Sequence, residues 1–263
     1  MFRASVIVSA VIALTPALAV SQDKVPRTPN GKPDLNGIWQ TMGTAHWNLE
    51  PHNAEPGPVV SMGALGAIPG GLGVVEGGRI PYRPEALKKR DANKQQWLEL
   101  DPLVQCKLPG VPRATYLPHP FQIVQEPNTL LFTYEFAGAD RIVYLNKAGT
   151  EAPVDTWMGY NLARWEGDTL VIDVTSQMED TWFDSAGNFH GPAMKVTERY
   201  TPQGANVLMY EATITDPDTF TRPWKISMPL YRRLDKNMQL LDFKCVEFVE
   251  ELLYGKYRKG VMK

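Results

Sequence analysis

Thr156–Tyr200, TWMGYNLARWEGDTLVIDVTSQMEDTWFDSAGNFHGPAMKVTERY, contains two alternating segments joined by a long aromatic and acidic loop. In the first, Thr169–Thr175, the side chains of Leu170, Ile172 and Val174 share one face, with Thr169, Val171, Asp173 and Thr175 on the other, as alternation across a strand requires. Glu166-Gly167-Asp168 supplies the turn before it. The second segment, Ala193–Tyr200, groups Met194, Val196, Glu198 and Tyr200, so Glu198 points with the apolar set. A carboxylate facing an interior must be hydrogen-bonded, paired with a cation, or held neutral. Two readings follow: a structural ion pair with Arg141 or Arg232, or a general acid or base in a ligand cavity.

Working outward, the chain reads as strand after strand. Phe121–Gln125 and Leu130–Phe136 flank a break at Glu126-Pro127-Asn128, and Arg141–Leu145 and Val207–Thr215 follow the same pattern. Trp224–Leu234 carries Pro229, which marks an edge or bulge. Leu240–Phe248 ends the series. Such spacing with almost no helix predicts an all-β protein, an antiparallel lipocalin-like barrel with a sandwich as the alternative. Upstream, Gly37-Ile38-Trp39 resembles the opening of the lipocalin and fatty-acid-binding barrels. In those families the tryptophan closes the barrel base beneath an arginine from a late strand, a place that Arg232 or Arg233 would take.

Pro84–Leu100 has proline in the first turn and good helix formers inside, so one surface helix is expected over 84–100. Residues 57–79 form a Gly-rich insertion, with eight glycines and two prolines between Gly57 and Gly78. It reads either as a flexible surface loop or as an apolar lid or subunit contact through which a homo-oligomer would form. It lacks the G-K-[ST] ending of a phosphate loop, and no G-x-G-x-x-G occurs, so no nucleotide site is assigned.

The chain has 263 residues and a net charge of −2 with both signs interspersed. No basic block provides the electrostatic footprint of a nucleic-acid binder, which leaves a neutral or small-molecule partner. Arg3, the apolar run Val6–Leu14, and Ala17-Leu18-Ala19 or Ala19-Val20-Ser21 match a signal peptide over 1–21. A single domain over 22–263 follows, and no later apolar run approaches the ~20 residues that span a bilayer. The expected location is periplasmic or secreted. Only Cys106 and Cys245 are present, and in an oxidising compartment such a pair is usually a disulfide.

RWEGDTLVIDV at 164–174 resembles a family of exported bacterial β-rich proteins that carry a GRWEGDTLVVDT-like signature. The likeness extends through Cys106-x-x-Pro-Gly-Val-Pro-Arg, PFQIVQ, YEF-x(4)-R-I, TWMG, the TWFD and GNFH block, ERY and DPDTFTRPW to Cys245. Ala163 replaces the usual glycine, and the Gly-rich insertion is foreign to the pattern. The resemblance implies an exported antiparallel β domain with Cys106 bridged to Cys245, and it implies no particular reaction.

Among candidates for chemistry, His190 lies in the GNFHGP turn just before the strand bearing Glu198, and an imidazole suits proton transfer near neutral pH. Arg141 would position or neutralise an oxyanion, and Asp180 sits beside Trp182, where bulky aromatics raise a carboxyl pKa. Tyr134, Trp157, Tyr160, Trp182, Tyr200 and Trp224 would line a pocket for a flat ligand. No histidine pair has metal-ligand spacing, so neither a metal nor a cofactor is expected. The reading at this level is a cofactor-independent acid–base enzyme of lyase, isomerase or hydratase type. It would act on an apolar, aromatic-compatible small molecule, with a non-catalytic carrier of an apolar ligand as the alternative.

Overall fold

A computed structural model describes residues 24–149 and 152–257; the signal peptide expected over 1–21 lies outside the described residues. Among the described residues, nine strands close into a barrel in sequence order. They are β1 Gly37–Thr41, β2 Phe121–Gln125, β3 Thr129–Tyr134, β4 Asp140–Leu145, β5 Tyr160–Glu166, β6 Thr169–Thr175, β7 Lys195–Pro202, β8 Val207–Thr215 and β9 Trp224–Arg232. Closure comes from β9 pairing with β1, Trp39 opposite Arg232 and Thr41 opposite Leu230. The sandwich alternative is thereby removed. Pro229 lies just past the last β1 partner, where a missing N–H breaks no ladder bond with that strand.

Three features differ from the sequence expectation. The β4–β5 pair is parallel, Val143 opposite Asn161 and Leu145 opposite Ala163, while every other neighbouring pair is antiparallel. A parallel pair needs a long connection that returns the chain to the end where the first strand began, and here fourteen residues separate β4 from β5. β5 itself went unread as a strand because Asn161 and Ala163 occupy its buried positions, so no apolar stripe announces it. Leu240–Phe248 forms no strand. Both edges of β9 are already occupied, and the segment becomes a strap tied down by the Cys106–Cys245 disulfide.

One end of the barrel is closed by Trp39. Its ring is fully buried, Nε1 donates to the Leu35 carbonyl at 2.9 Å, and the Arg232 guanidinium lies 4.3 Å above the ring centre. Arg232 also donates to the carbonyls of Ala205, Asn36 and Asp34. Gly37 belongs to this arrangement: its φ is +131°, and a Cβ there would lie 2.3 Å from Arg232 Nη1. Arg233 points elsewhere, to Gln40 and Asp235.

The opposite end is plugged. A short helix, Arg113–Tyr116, brings Tyr116 into the same apolar cluster as Phe183, Phe220, Val75 and Ile80. The expected helix over 84–100 is present as two pieces, α1 Pro84–Gln95 and α2 Trp97–Leu100, with Arg113–Tyr116 following as α3. Gln96, at φ −122°, breaks the helical path between the two pieces. The Gly-rich insertion is pinned by bridges between Glu55 and Ile68, His52 and Gly71, and Val75 and Ile226. Within it the backbone packs so closely that a Cβ on Gly57 would meet the Gly66 carbonyl oxygen at 1.6 Å. The turn side chains Leu65 and Leu72 project into solvent.

The disulfide spans a sequence separation of 139 residues, so it restricts the unfolded chain strongly. Replacing both cysteines by serine should lower stability by about 2–4 kcal/mol. Denaturant unfolding of Cys106→Ser/Cys245→Ser against wild type checks this; an unchanged midpoint would show that the strap contributes nothing to folding.

A polar barrel core and an aromatic cavity outside it

Glu198 projects inward from β7, between Ile172 of β6 and Ala212 of β8, and is completely buried. Arg141, from β4, meets it with two bonds: Nη1 to Oε2 at 2.6 Å and Nη2 to Oε1 at 3.3 Å. Oε1 also accepts from the hydroxyls of Tyr200 at 3.0 Å and Tyr210 at 2.8 Å. The guanidinium donates further to Asn161 Oδ1 and Tyr200 Oη, both at 3.1 Å, and lies 4.6 Å from the centre of the Phe132 ring. Burial is the largest single influence and opposes its charge, but the Glu198 carboxylate together with Tyr134 and Tyr200 more than offsets it and holds the Arg141 pKa well above the ordinary arginine value. Burial first, and then the Glu198 charge, raise both tyrosine pKa values. The geometry is that of a structural ion pair with Arg141, the first of the two readings of Glu198. Arg232, the other partner considered, is engaged over Trp39.

Of the remaining sequence candidates, Tyr200 joins this pair and Tyr134 lies beside Arg141, whereas His190, Asp180, Trp182 and Trp224 lie elsewhere. Both ring nitrogens of His190 are used: Nε2 meets Thr181 Oγ1 at 2.7 Å, and Nδ1 donates to the Gly191 carbonyl at 2.9 Å. Burial lowers its pKa, so it packs as a neutral ring. Asp180 is exposed and pairs with Lys107 at 3.0 Å. Tyr134, Tyr200 and Trp224 are core residues, and Trp224 sits edge-on to Phe183 and Phe220. Trp182 belongs to the loop, bridged to Phe189. Trp157 and Tyr160, with Arg141 and Asn161, border an open groove of about 480 Å³ on the barrel side.

Sequence reasoning missed a second concavity, a cavity of about 400 Å³ between the plugged barrel mouth and the strap. Trp47, Trp97, Phe136 and Phe243 supply its aromatic walls. Trp47 and Trp97 meet edge to face at 5.9 Å, and Phe243 lies 4.8 Å from Phe136 and 5.0 Å from His119. One polar side is a buried ion pair: Arg113 donates Nη1 to Asp101 Oδ1 and Nη2 to Oδ2, each at 2.7 Å. Ser185 Oγ joins it, donating to Asp101 Oδ2 and accepting from Arg113 Nη2, both at 3.1 Å. On another side His119 Nδ1 faces Glu135 Oε1 at 3.2 Å, and Glu135 Oε2 accepts the Leu241 amide of the strap.

His46 borders the same cavity. Burial, then the charges of Arg113 and His119, push its pKa down to about 4, so the ring is neutral near pH 7. Its Nδ1 is buried without a partner, as is Arg113 Nε. Behind Ser185, Asp184 accepts the amides of Leu49, Ala186 and Asn188 and the Asn188 side-chain amide. Burial pushes the Asp184 pKa up to about 6. The cavity residues come from segments scattered between 46 and 250, and no local spacing betrays them. The available clue was the cysteine pair, since bridging Cys106 to Cys245 brings Phe243 towards the rigid LPHPF stretch that holds His119. Among the described residues, no group of three or more His, Cys, Asp or Glu side chains is placed to hold a metal ion.

Two outcomes follow. Glu198→Gln leaves a buried guanidinium without its counter-charge and should destabilise by about 3–5 kcal/mol, whereas Glu198→Leu with Arg141→Met should recover most of that loss. Unfolding of the three forms decides; a small effect of Glu198→Gln would mean that the pair is hydrated. The second outcome concerns pH. Between pH 6.5 and about 4 the unfolded chain binds a proton that folded His46 refuses, so this contribution is complete above pH 6.5 and is lost as the pH falls. Asp184 acts in the opposite sense, since its raised pKa makes stability fall as the pH rises from 3.8 to about 6. His46→Phe removes only the first effect. Relative to wild type it should therefore gain up to about 3 kcal/mol on going from pH 7 to pH 4, at roughly 1.4 kcal/mol per pH unit. A difference that is constant with pH would refute the assignment.

In comparisons with known proteins, the chain matches no family model and no curated protein sequence.

Proposed function

We propose that this chain is an exported small-molecule carrier that holds an apolar ring compound in the cavity between the barrel mouth and the Cys106–Cys245 strap. The observation that carries this reading is the convergence of Trp47, Trp97, Phe136 and Phe243, from four separate segments, on one concave space of about 400 Å³. Ligand pockets of this kind are apolar and aromatic, with a small number of placed polar groups. An oxidising compartment suits the disulfide, and the N-terminal leader pattern points the same way.

Acid–base catalysis of the lyase, isomerase or hydratase type is the second reading. Its support is the neutral imidazole of His46 in one cavity with the His119–Glu135 pair, the kind of setting in which protons are moved. The carrier reading has the better support. Glu198 and His190 have their polar atoms committed to protein partners, and the carboxylate to which the Ser185 hydroxyl donates, Asp101, is held as an anion by Arg113 and so is a weak base.

The test uses 1-anilinonaphthalene-8-sulfonate as the probe. Saturable binding should quench Trp47 and Trp97, and Phe243→Ala should weaken it about tenfold. Small molecules that co-purify with the chain should be recovered unchanged after prolonged incubation. Chemical conversion of such a molecule would favour the enzyme; no saturable binding would end both readings.

A further inference from the structure

We propose that the outward apolar face of the helix ending the strap docks on the surface of an anionic lipid bilayer. This helix, α4 Val249–Tyr254, runs directly into a further helical turn, Gly255–Tyr257. Residues three and four apart share a helix face, so Val249, Leu252 and Leu253 stand together. All three face solvent, at 41%, 71% and 58% exposure, and Phe248 before them and Tyr257 after them are exposed as well. The protein meets the other side: Glu250 and Tyr254 are half-buried, and Gly255 is buried. A surface helix of a globular protein normally turns its apolar stripe inward. Here the stripe points outward, and exposed apolar patches of this kind mark interaction sites.

Charge selects the occupant. Over 252–263 the chain carries Lys256, Arg258, Lys259 and Lys263 and no acidic residue, although its net charge is −2. Lys256 follows Leu252 by one helical turn and so emerges through the apolar face, where its stem can lie along acyl chains while the ammonium reaches a headgroup. Of the carboxylates nearby, Asp242 is paired with Lys244 at 2.9 Å, and Glu250 lies on the protein side. Glu251 is turned away from the leucines by the helical period, and Glu247 precedes the helix. A second copy of the chain is the competing occupant, but a two-fold contact would set the same basic segment against itself. Anionic headgroups complement that segment. Among the described residues no helix is long and apolar enough to cross a membrane, so the contact is with the surface. Val246 and Val249 are both exposed and both border the aromatic cavity, so docking would hold the strap wall of that cavity against lipid. Docking does not depend on the carrier reading, which concerns only what the cavity holds.

The experiment sediments the exported, disulfide-bonded chain with vesicles of phosphatidylcholine alone, and with vesicles of equal parts phosphatidylcholine and phosphatidylglycerol. Binding to the anionic vesicles should be roughly tenfold tighter, and should weaken severalfold when salt is raised from about 0.1 M to about 0.5 M. Leu252→Ser/Leu253→Ser changes two exposed side chains and, with its fold checked by circular dichroism, should weaken anionic binding about tenfold. Should it not fold, the lipid and salt dependence of the wild type decide. Equal binding to both vesicles, or equal binding by wild type and the folded double variant, overturns the proposal. Binding of wild type to neither vesicle overturns it too; elution of wild type as a dimer and of the variant as a monomer would then assign the face to a second copy. The carrier reading is decided separately, by the dye titration.

Discussion

The ion pair between Arg141 and Glu198 is the constraint on which the barrel interior depends. Taking a guanidinium and a carboxylate out of water costs several kcal/mol per ion, and that is offset only when geometry and supporting hydrogen bonds are both good. Here the partners come from β4 and β7, with Asn161 of β5, Tyr200 of β7 and Tyr210 of β8 completing the network. A one-residue slip of any of these strands would turn its contribution outward, because side chains alternate with a period of two. The pair therefore specifies register across half the barrel, including the parallel β4–β5 contact. Close by, the hydroxyls of Tyr134 and of Thr115, a residue of α3, are buried beside Arg141 and Tyr200, so polarity continues upward towards α3.

This use of the interior shapes where a ligand can go. Lipocalin-like barrels enclose their ligands between the strands, but here the equivalent volume is filled by charged and aromatic side chains. The bottom is sealed by Trp39 under Arg232, and the top is plugged by α3 and the loops carrying Phe183 and Phe220. Concave space is displaced outward. α3 serves both regions: Tyr116 enters the core and donates to the Phe183 carbonyl at 2.8 Å, while Arg113 turns to the cavity. The strap completes the cavity, held by the disulfide, by the Leu241 amide on Glu135, and by the Phe248 amide on the Val104 carbonyl. Core rigidity thus reaches the cavity through one short helix and one cross-link.

Much of the barrel was legible in the chain. Thr169–Thr175 and Val207–Thr215 form strands over those residues; Val207–Thr215 alternates cleanly, while in Thr169–Thr175 Val171 is buried as well as Leu170, Ile172 and Val174. The inward aim of Glu198 follows from the same period, as its neighbours Val196 and Tyr200 confirm by their burial. β5 was invisible because its interior positions hold Asn161, chosen for the Arg141 network, and Ala163, chosen for space. Leu240–Phe248 misled in the other direction: its apolar residues serve a strap, and no open edge remained for it to join. The candidate site was legible only in fragments. Aromatic residues cluster in the Thr156–Tyr200 stretch, but those at the cavity are Trp47, Trp97, Phe136 and Phe243, none of which lies there.

By itself, the sequence determined the all-β class, the faces of most strands, the cysteine pairing and the inward carboxylate, because each depends on local alternation or on a count with one solution. Tertiary structure alone decided that Arg141 rather than Arg232 answers Glu198, that the barrel is full, and that the aromatic cavity lies beyond its mouth. Those outcomes turn on which distant side chains meet in three dimensions. A period of two says which way a residue points and nothing about what it will find there.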